Sequence, residues 1–88
     1  MDNYTIEQMR SYIDDIDETI LNMLNSRFDI CKMIGEKKRQ LGMETVYVPE
    51  REQAIINRLS EREHHEGLVQ AIWPTIMEYS RSLQKNSQ

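Results

Sequence analysis

Residues 6–41 read IEQMRSYIDDIDETILNMLNSRFDICKMIGEKKRQL, with no proline anywhere in the stretch. Ile6, Met9, Ile13, Ile16, Ile20 and Met23 step by three and four, the spacing that puts side chains on one face of a helix. The step continues through Ile30 and Ile34, and Leu24 and Cys31 widen the stripe. Asp14, Asp17, Glu18, Asn22, Asp29 and Lys32 take the other faces. Thr5 and Gln8 have the spacing of a capping box, Glu7 suits the positive end of the helix dipole, and Gly42 is the first plausible stop. The pattern predicts one helix on the order of 50 Å long, at about 1.5 Å of rise per residue. A compact globule of this chain length would be only about 30 Å across. The apolar stripe on the overhanging half therefore calls for a second chain, most simply in a two-fold dimer.

The rest of the chain adds two shorter helices. Residues 42–48 form a connection, and Pro49 suits the first position of a second helix with Glu50 and Glu52 in its opening turn. That helix carries Ala54, Ile55, Ile56 and Leu59 and is expected to run to about Arg62. Residues 63–67 are polar and read as a loop. The third helix carries Val69, Ile72, Trp73, Ile76, Met77 and Leu83 and is expected to fray after Gln84. Pro74 sits inside it, which predicts a kink or a helix that effectively begins near Trp73. The expected class is all-α, a single helical domain over residues 1–88 and three helices per chain.

Composition narrows the function classes. Cys31 is the only cysteine among 88 residues, so no disulfide can form within the chain, and a lone thiol fits a reducing cytoplasm. Cys31, His64 and His65 do not give four zinc ligands at a familiar spacing, so no metal is expected. The N-terminal Met-Asp-Asn-Tyr-Thr has neither the basic nor the apolar region of a secretory leader. No apolar run approaches the roughly 20 residues of a membrane span. A net charge of −4 argues against a nucleic-acid surface. A chain this short buries only about three-fifths of its unfolded surface, so oligomerisation is the remaining support.

Several polar residues stand where apolar ones belong. Arg27 occupies the heptad step between Met23 and Ile30, and Lys38, eleven residues on, points the same way to within about 20°. Glu52 shares the face of Ile55 and Leu59, and Ser80 and Gln84 continue that of Trp73 and Met77. Each must find a partner or cost several kcal/mol. One internal salt bridge, between Glu52 and Arg27 or Lys38, would account for part of the set. With Arg51 the cluster holds three cations, one carboxylate and two neutral polar groups, which in a net-negative protein points to a bound anion. Arg10 lies about 25 Å from Arg27 along the helix and on another face; taken by itself it reads as a solvated surface arginine, and any such pocket it reaches is that of a neighbouring chain. Cys31, Trp73 and the methionines read as core packing, His64 and His65 as solvated, and Glu36, Lys37 and Arg39 as an exposed helix end.

The order of these residues resembles a known family. Met9-Arg10, Asn25-Ser26-Arg27 and Ile34-Gly35-Glu36-Lys37-Lys38 resemble the first helix of the all-helical (AroQ-class) chorismate mutases. Arg51-Glu52 after Pro49-Glu50 resembles the family's Arg-Glu pair, and Ser80 to Gln84 its C-terminal Ser-x-x-x-Gln signature. The resemblance runs roughly from residue 5 to 85. It implies intertwined homodimers with two active sites, each borrowing an arginine from the other subunit. It also implies conversion of chorismate to prephenate in the shikimate route to phenylalanine and tyrosine. Carried over by position, Arg27 and Arg10 of the partner subunit would hold the two substrate carboxylates, with Ser80 assisting. Lys38 and Gln84 would donate to the ether oxygen of the breaking bond. Glu52 would accept from the 4-hydroxyl with Arg51 beside it. A unimolecular pericyclic rearrangement needs no nucleophile, metal or redox cofactor. It needs a folded substrate conformer and donors at the ether oxygen.

Three departures from the family pattern stand out. An acidic residue is often found near the position held here by Val48, and its loss bears on the choice between a hydroxyl and an amino group at C4. The connection before Arg51 is about one residue longer than in some members, and Pro74 is unusual in the third helix. The rival functions are a 4-amino-4-deoxychorismate mutase of an antibiotic pathway, an isochorismate-pyruvate lyase, and a non-catalytic helical dimerisation module. Retention of Glu52 and Gln84 counts against the lyase.

Overall fold

The computed structural model describes residues 3–43 and 47–86. It is built of three helices: α1 (Ile6–Gln40), α2 (Pro49–Ser60) and α3 (Leu68–Asn86). The expected connection at 42–48 is seen at its two ends, while residues 44–46 lie outside the described residues.

α1 begins and ends on local chemistry. The Gln8 backbone N–H donates to Thr5 Oγ1 at 3.1 Å, and the Thr5 N–H donates to Gln8 Oε1 at 2.9 Å, the reciprocal pair of a capping box. At the other end Gly42 takes φ +74°, which only glycine adopts at little cost. Its N–H donates to the Arg39 carbonyl at 3.0 Å and that of Met43 to the Lys38 carbonyl at 2.7 Å. This Schellman closure stops the helix two residues after Lys38 and pins the backbone that carries it.

α2 starts at Pro49 as expected and stops at Ser60, one half-turn short of Arg62. Of the two expectations at Pro74, a start near Trp73 is corrected: α3 begins at Leu68 with Pro74 inside it, and it runs past Gln84 to Asn86. The early start rests on Glu63, whose carboxylate accepts from the backbone N–H of Gly67 at 3.1 Å and of Val69 at 2.9 Å. These two bonds satisfy amides that a helix start leaves orphaned. With the first turn held, the one hydrogen bond that Pro74 forfeits to Gln70 does not unwind it.

α3 packs against both α1 and α2, whereas α1 and α2 make no close backbone approach to each other among the described residues. Phe28 of α1 meets Tyr79 of α3 edge-on, with centroids 4.7 Å apart. The core is thin: Cys31, Ile55, Val69, Ile76 and Met77 are its buried hydrophobics. Cys31 and Met77 therefore pack as expected, and Trp73 is half-buried. Met23 and Met33, expected inside, are more than 60% exposed in the isolated chain. The molecule measures 57 × 24 × 14 Å with a radius of gyration of 16.8 Å, against about 12 Å for a compact chain of this length. Along the far half of α1, Ile13, Ile16 and Ile20 are half or more exposed. The apolar stripe of α1 is thus continuous and largely uncovered. No helix among the described residues is long and apolar enough to cross a membrane.

Candidate active site

The three helices meet around a cavity of about 280 Å³. From α1 it is lined by Arg27, Ile30, Cys31, Ile34 and Lys38, residues spaced by three and four on one face. α2 and the residue before it contribute Val48, Arg51, Glu52 and Ile55. α3 contributes Met77, Ser80, Arg81 and Gln84, again one face. Apolar side chains form the wall, and polar groups converge from three sides, which is the usual build of a small-ligand site.

Seven of the eight residues expected from the sequence come together here: Arg27, Lys38, Val48, Arg51, Glu52, Ser80 and Gln84. Arg10 does not. It is exposed near the start of α1, and the helix rise places it about 25 Å from Arg27.

The polar groups are paired across helices. Arg27 Nη1 donates to Ser80 Oγ and lies 3.8 Å from Cys31 Sγ. Ser80, 6% exposed, donates in turn to the Ile76 carbonyl at 2.8 Å, so the guanidinium leans on a hydroxyl fixed to its own helix. Lys38 Nζ donates to Gln84 Oε1 at 3.2 Å, which turns the amide nitrogen of Gln84 to its other side. Glu52 pairs with neither Arg27 nor Lys38. Both its oxygens accept from Arg81 Nη1, at 2.5 and 2.6 Å, and the Arg81 guanidinium lies 4.8 Å over the ring of Tyr47. Hydrogen bonding to Glu52 raises the Arg81 pKa above its already high ordinary value, so the cation persists at any working pH.

Arg81 is the site residue that sequence reasoning missed. The available signal was electrostatic: Glu52 is an inward carboxylate in need of a cation, and Arg81 directly follows an inward serine. Four cations and one carboxylate therefore face the cavity, in a chain whose net charge is −4. Such a local excess of positive charge suits an anion.

Known proteins match this chain over most of its length. The family model for chorismate mutase type II matches residues 9–85. A chorismate mutase of Methanocaldococcus jannaschii is 33% identical over 84 residues, which is 91% of this chain and 84% of that protein. A bifunctional chorismate mutase/prephenate dehydratase of Aquifex aeolicus is 41% identical over 54 residues, 61% of this chain and 15% of that longer protein. Among solved structures, a chorismate mutase from Helicobacter pylori in complex with prephenate superposes with a TM-score of 0.81 at 30% identity. The superposition covers 93% of this chain and 91% of that one. Helix order, the cationic cavity and a match that spans all three helices agree: this chain belongs to the chorismate mutase type II family.

Proposed function

We propose that the cavity between the three helices is where this chain rearranges chorismate to prephenate, and that Arg27, Lys38, Arg51, Glu52, Ser80 and Gln84 are the groups that do it. Family membership carries the activity. The assignment of roles is supported by one observation above others: Lys38 and Gln84, from different helices, converge at 3.2 Å inside a cavity rich in positive charge.

The reaction breaks an ether C–O bond and forms a C–C bond within one molecule, so catalysis consists of holding the folded conformer and stabilising charge on the ether oxygen. Arg27, steadied by Ser80, binds one carboxylate of the dianion and fixes its position. Lys38 Nζ and the Gln84 amide nitrogen donate to the ether oxygen as negative charge builds there. Removing one such preorganised donor typically costs about 10²–10³ in kcat. At the other end Glu52 accepts from the 4-hydroxyl beside Arg51 and Val48.

The working form is a homodimer in which Arg10 of the partner subunit holds the second carboxylate. Two features support this reading. A second, apolar groove of about 600 Å³ lies between α1 and α3, walled by Ile16, Ile20, Met23, Ile72, Trp73 and Ile76. Arg27 lines both that groove and the cationic cavity, so a chain laid into the groove would arrive beside the substrate. A site closed in this way also excludes water, which strengthens every charge interaction inside it.

The purified protein should be offered chorismate, 4-amino-4-deoxychorismate and isochorismate in parallel, with products identified by mass and absorbance. Prephenate from chorismate is the expected product. Turnover of the amino compound alone, or pyruvate release from isochorismate, would move the function to one of those rivals. No turnover of any of the three would leave the helical dimerisation module as the better reading.

A further inference from the structure

The end of the cavity formed by Val48, Arg51, Glu52 and Arg81 has an unusual charge balance. Arg81 Nη1 stands 2.5 Å from one oxygen of Glu52 and 2.6 Å from the other. Both carboxylate oxygens are thus held by one nitrogen, and the carboxylate plane is fixed relative to α3. The ring of Tyr47, its centroid 4.8 Å from the guanidinium carbon, gives the arginine a second contact. Arg81 and Glu52 remain 33% and 21% exposed and line the cavity, so the pair is available to a ligand and is not sealed in the core.

Within that group Arg81 neutralises the charge of Glu52, Arg51 adds a positive charge, and Val48 adds none. The end is net positive although it contains a carboxylate. A carboxylate has about four lone-pair sites, so Glu52 can accept from Arg81 and still accept from a hydroxyl. A ligand ammonium at the same place would meet two guanidinium groups and a carboxylate already neutralised. Like-charge repulsion of this kind strengthens as water is excluded.

Resting on the placement of the substrate's C4 substituent at this end, we propose that Arg81 is a positioning and specificity-determining residue: by aiming and neutralising the Glu52 carboxylate it makes the cavity select a hydroxyl over an ammonium. Arg81 acts through Glu52 and touches no reacting atom. Discrimination then comes from a repulsive element as well as an attractive one.

The test compares the unaltered protein with Arg81→Met and Arg81→Lys. The readouts are kcat and KM for chorismate, and the inhibition constant of 4-amino-4-deoxychorismate as a competitor. Circular dichroism reports on folding. Arg81→Met should raise KM for chorismate and lower the inhibition constant of the amino compound about tenfold, because an unneutralised Glu52 pairs with the ammonium. Arg81→Lys keeps the charge and should keep the preference for the hydroxyl. Should Arg81→Met fail to fold, Arg81→Gln removes the charge while retaining a hydrogen bond to Glu52, and the same fall in the inhibition constant is expected. A folded, charge-free variant whose ratio of inhibition constant to chorismate KM is unchanged would overturn the proposal and reduce Arg81 to a strut between α2 and α3. Absence of chorismate turnover by the unaltered protein would instead remove the functional reading itself, and this inference with it.

Discussion

Lys38 and Gln84, 46 positions apart in the chain, stand 3.2 Å apart with the lysine ammonium donating to the amide oxygen. The Schellman closure at Gly42 takes up the Lys38 carbonyl, so the lysine is anchored in the last turn of α1 by its own backbone. The glutamine is presented by α3, one turn beyond the serine that steadies Arg27. In the proposed reaction, two donors held in advance on separate rigid elements would pay no reorganisation as charge appeared between them.

Lys38→Ala and Gln84→Ala should therefore lower kcat by about 10²–10³, with a much smaller rise in KM. Steady-state kinetics on chorismate check this. Equal losses in kcat and in substrate affinity would contradict a role confined to the transition state.

Arg10 and Arg27 are predicted to serve one substrate from two chains. Arg10→Ala and Arg27→Ala proteins should each be nearly inactive. Co-refolding them in equal amounts should restore activity to about a quarter of the unaltered level, since half of a random mixture is heterodimer with one intact site each. An inactive mixture that contains heterodimer by mass spectrometry would refute the shared site.

Ile20 is half-exposed in the isolated chain and lines the apolar groove. Ile20→Glu should dissociate the proposed homodimer, because it withdraws about 1 kcal/mol of apolar burial from each copy, that of its exposed half, and asks a charge to enter instead. Sedimentation equilibrium should show monomer, with helicity and turnover reduced together. A variant that remains a fully active dimer would place the interface elsewhere.

Glu63 is predicted to make α3 sensitive to acid. Its hydrogen bonds from Val69 and Gly67 hold its pKa below the ordinary glutamate value of 4.5. A carboxyl whose folded pKa is depressed contributes stability above its unfolded pKa and loses it as pH falls through the folded one. Glu63→Gln should therefore have a lower Tm than the unaltered protein near about pH 6. The two melting curves should converge below the depressed pKa, where both side chains are neutral. Tm-against-pH curves separated by the same interval at every pH would show that ionisation of Glu63 contributes nothing to the cap.

Much of this protein was legible from the order of its residues. Helical period is a local property, set by backbone geometry. It follows that Arg27, Lys38, Glu52, Ser80 and Gln84 could be placed on inward faces, and that α1 could be seen to be too long for one chain to cover, before any packing was known. The Thr5–Gln8 cap and the Gly42 stop were equally local and appear in the fold as expected.

The relation of one helix to another is not local, and there the tertiary structure decided. Period assigns a side chain its angle on its own helix but not the angle at which that helix meets its neighbour, so an inward carboxylate near several cations has no partner dictated by the sequence. Packing of α3 against both α1 and α2 gave Glu52 to Arg81, Arg27 to Ser80 and Lys38 to Gln84. The start of α3 at Leu68 is local by contrast: the Glu63 carboxylate reaches forward to the Gly67 and Val69 amides of its first turn, a cap that the sequence reading did not weigh against Pro74. The sequence alone determined which of the site's polar groups face inward and that the stripe of α1 outruns what one chain covers. Contact between helices, where charges compete for partners over a few ångströms, determined which of those groups hold each other in place.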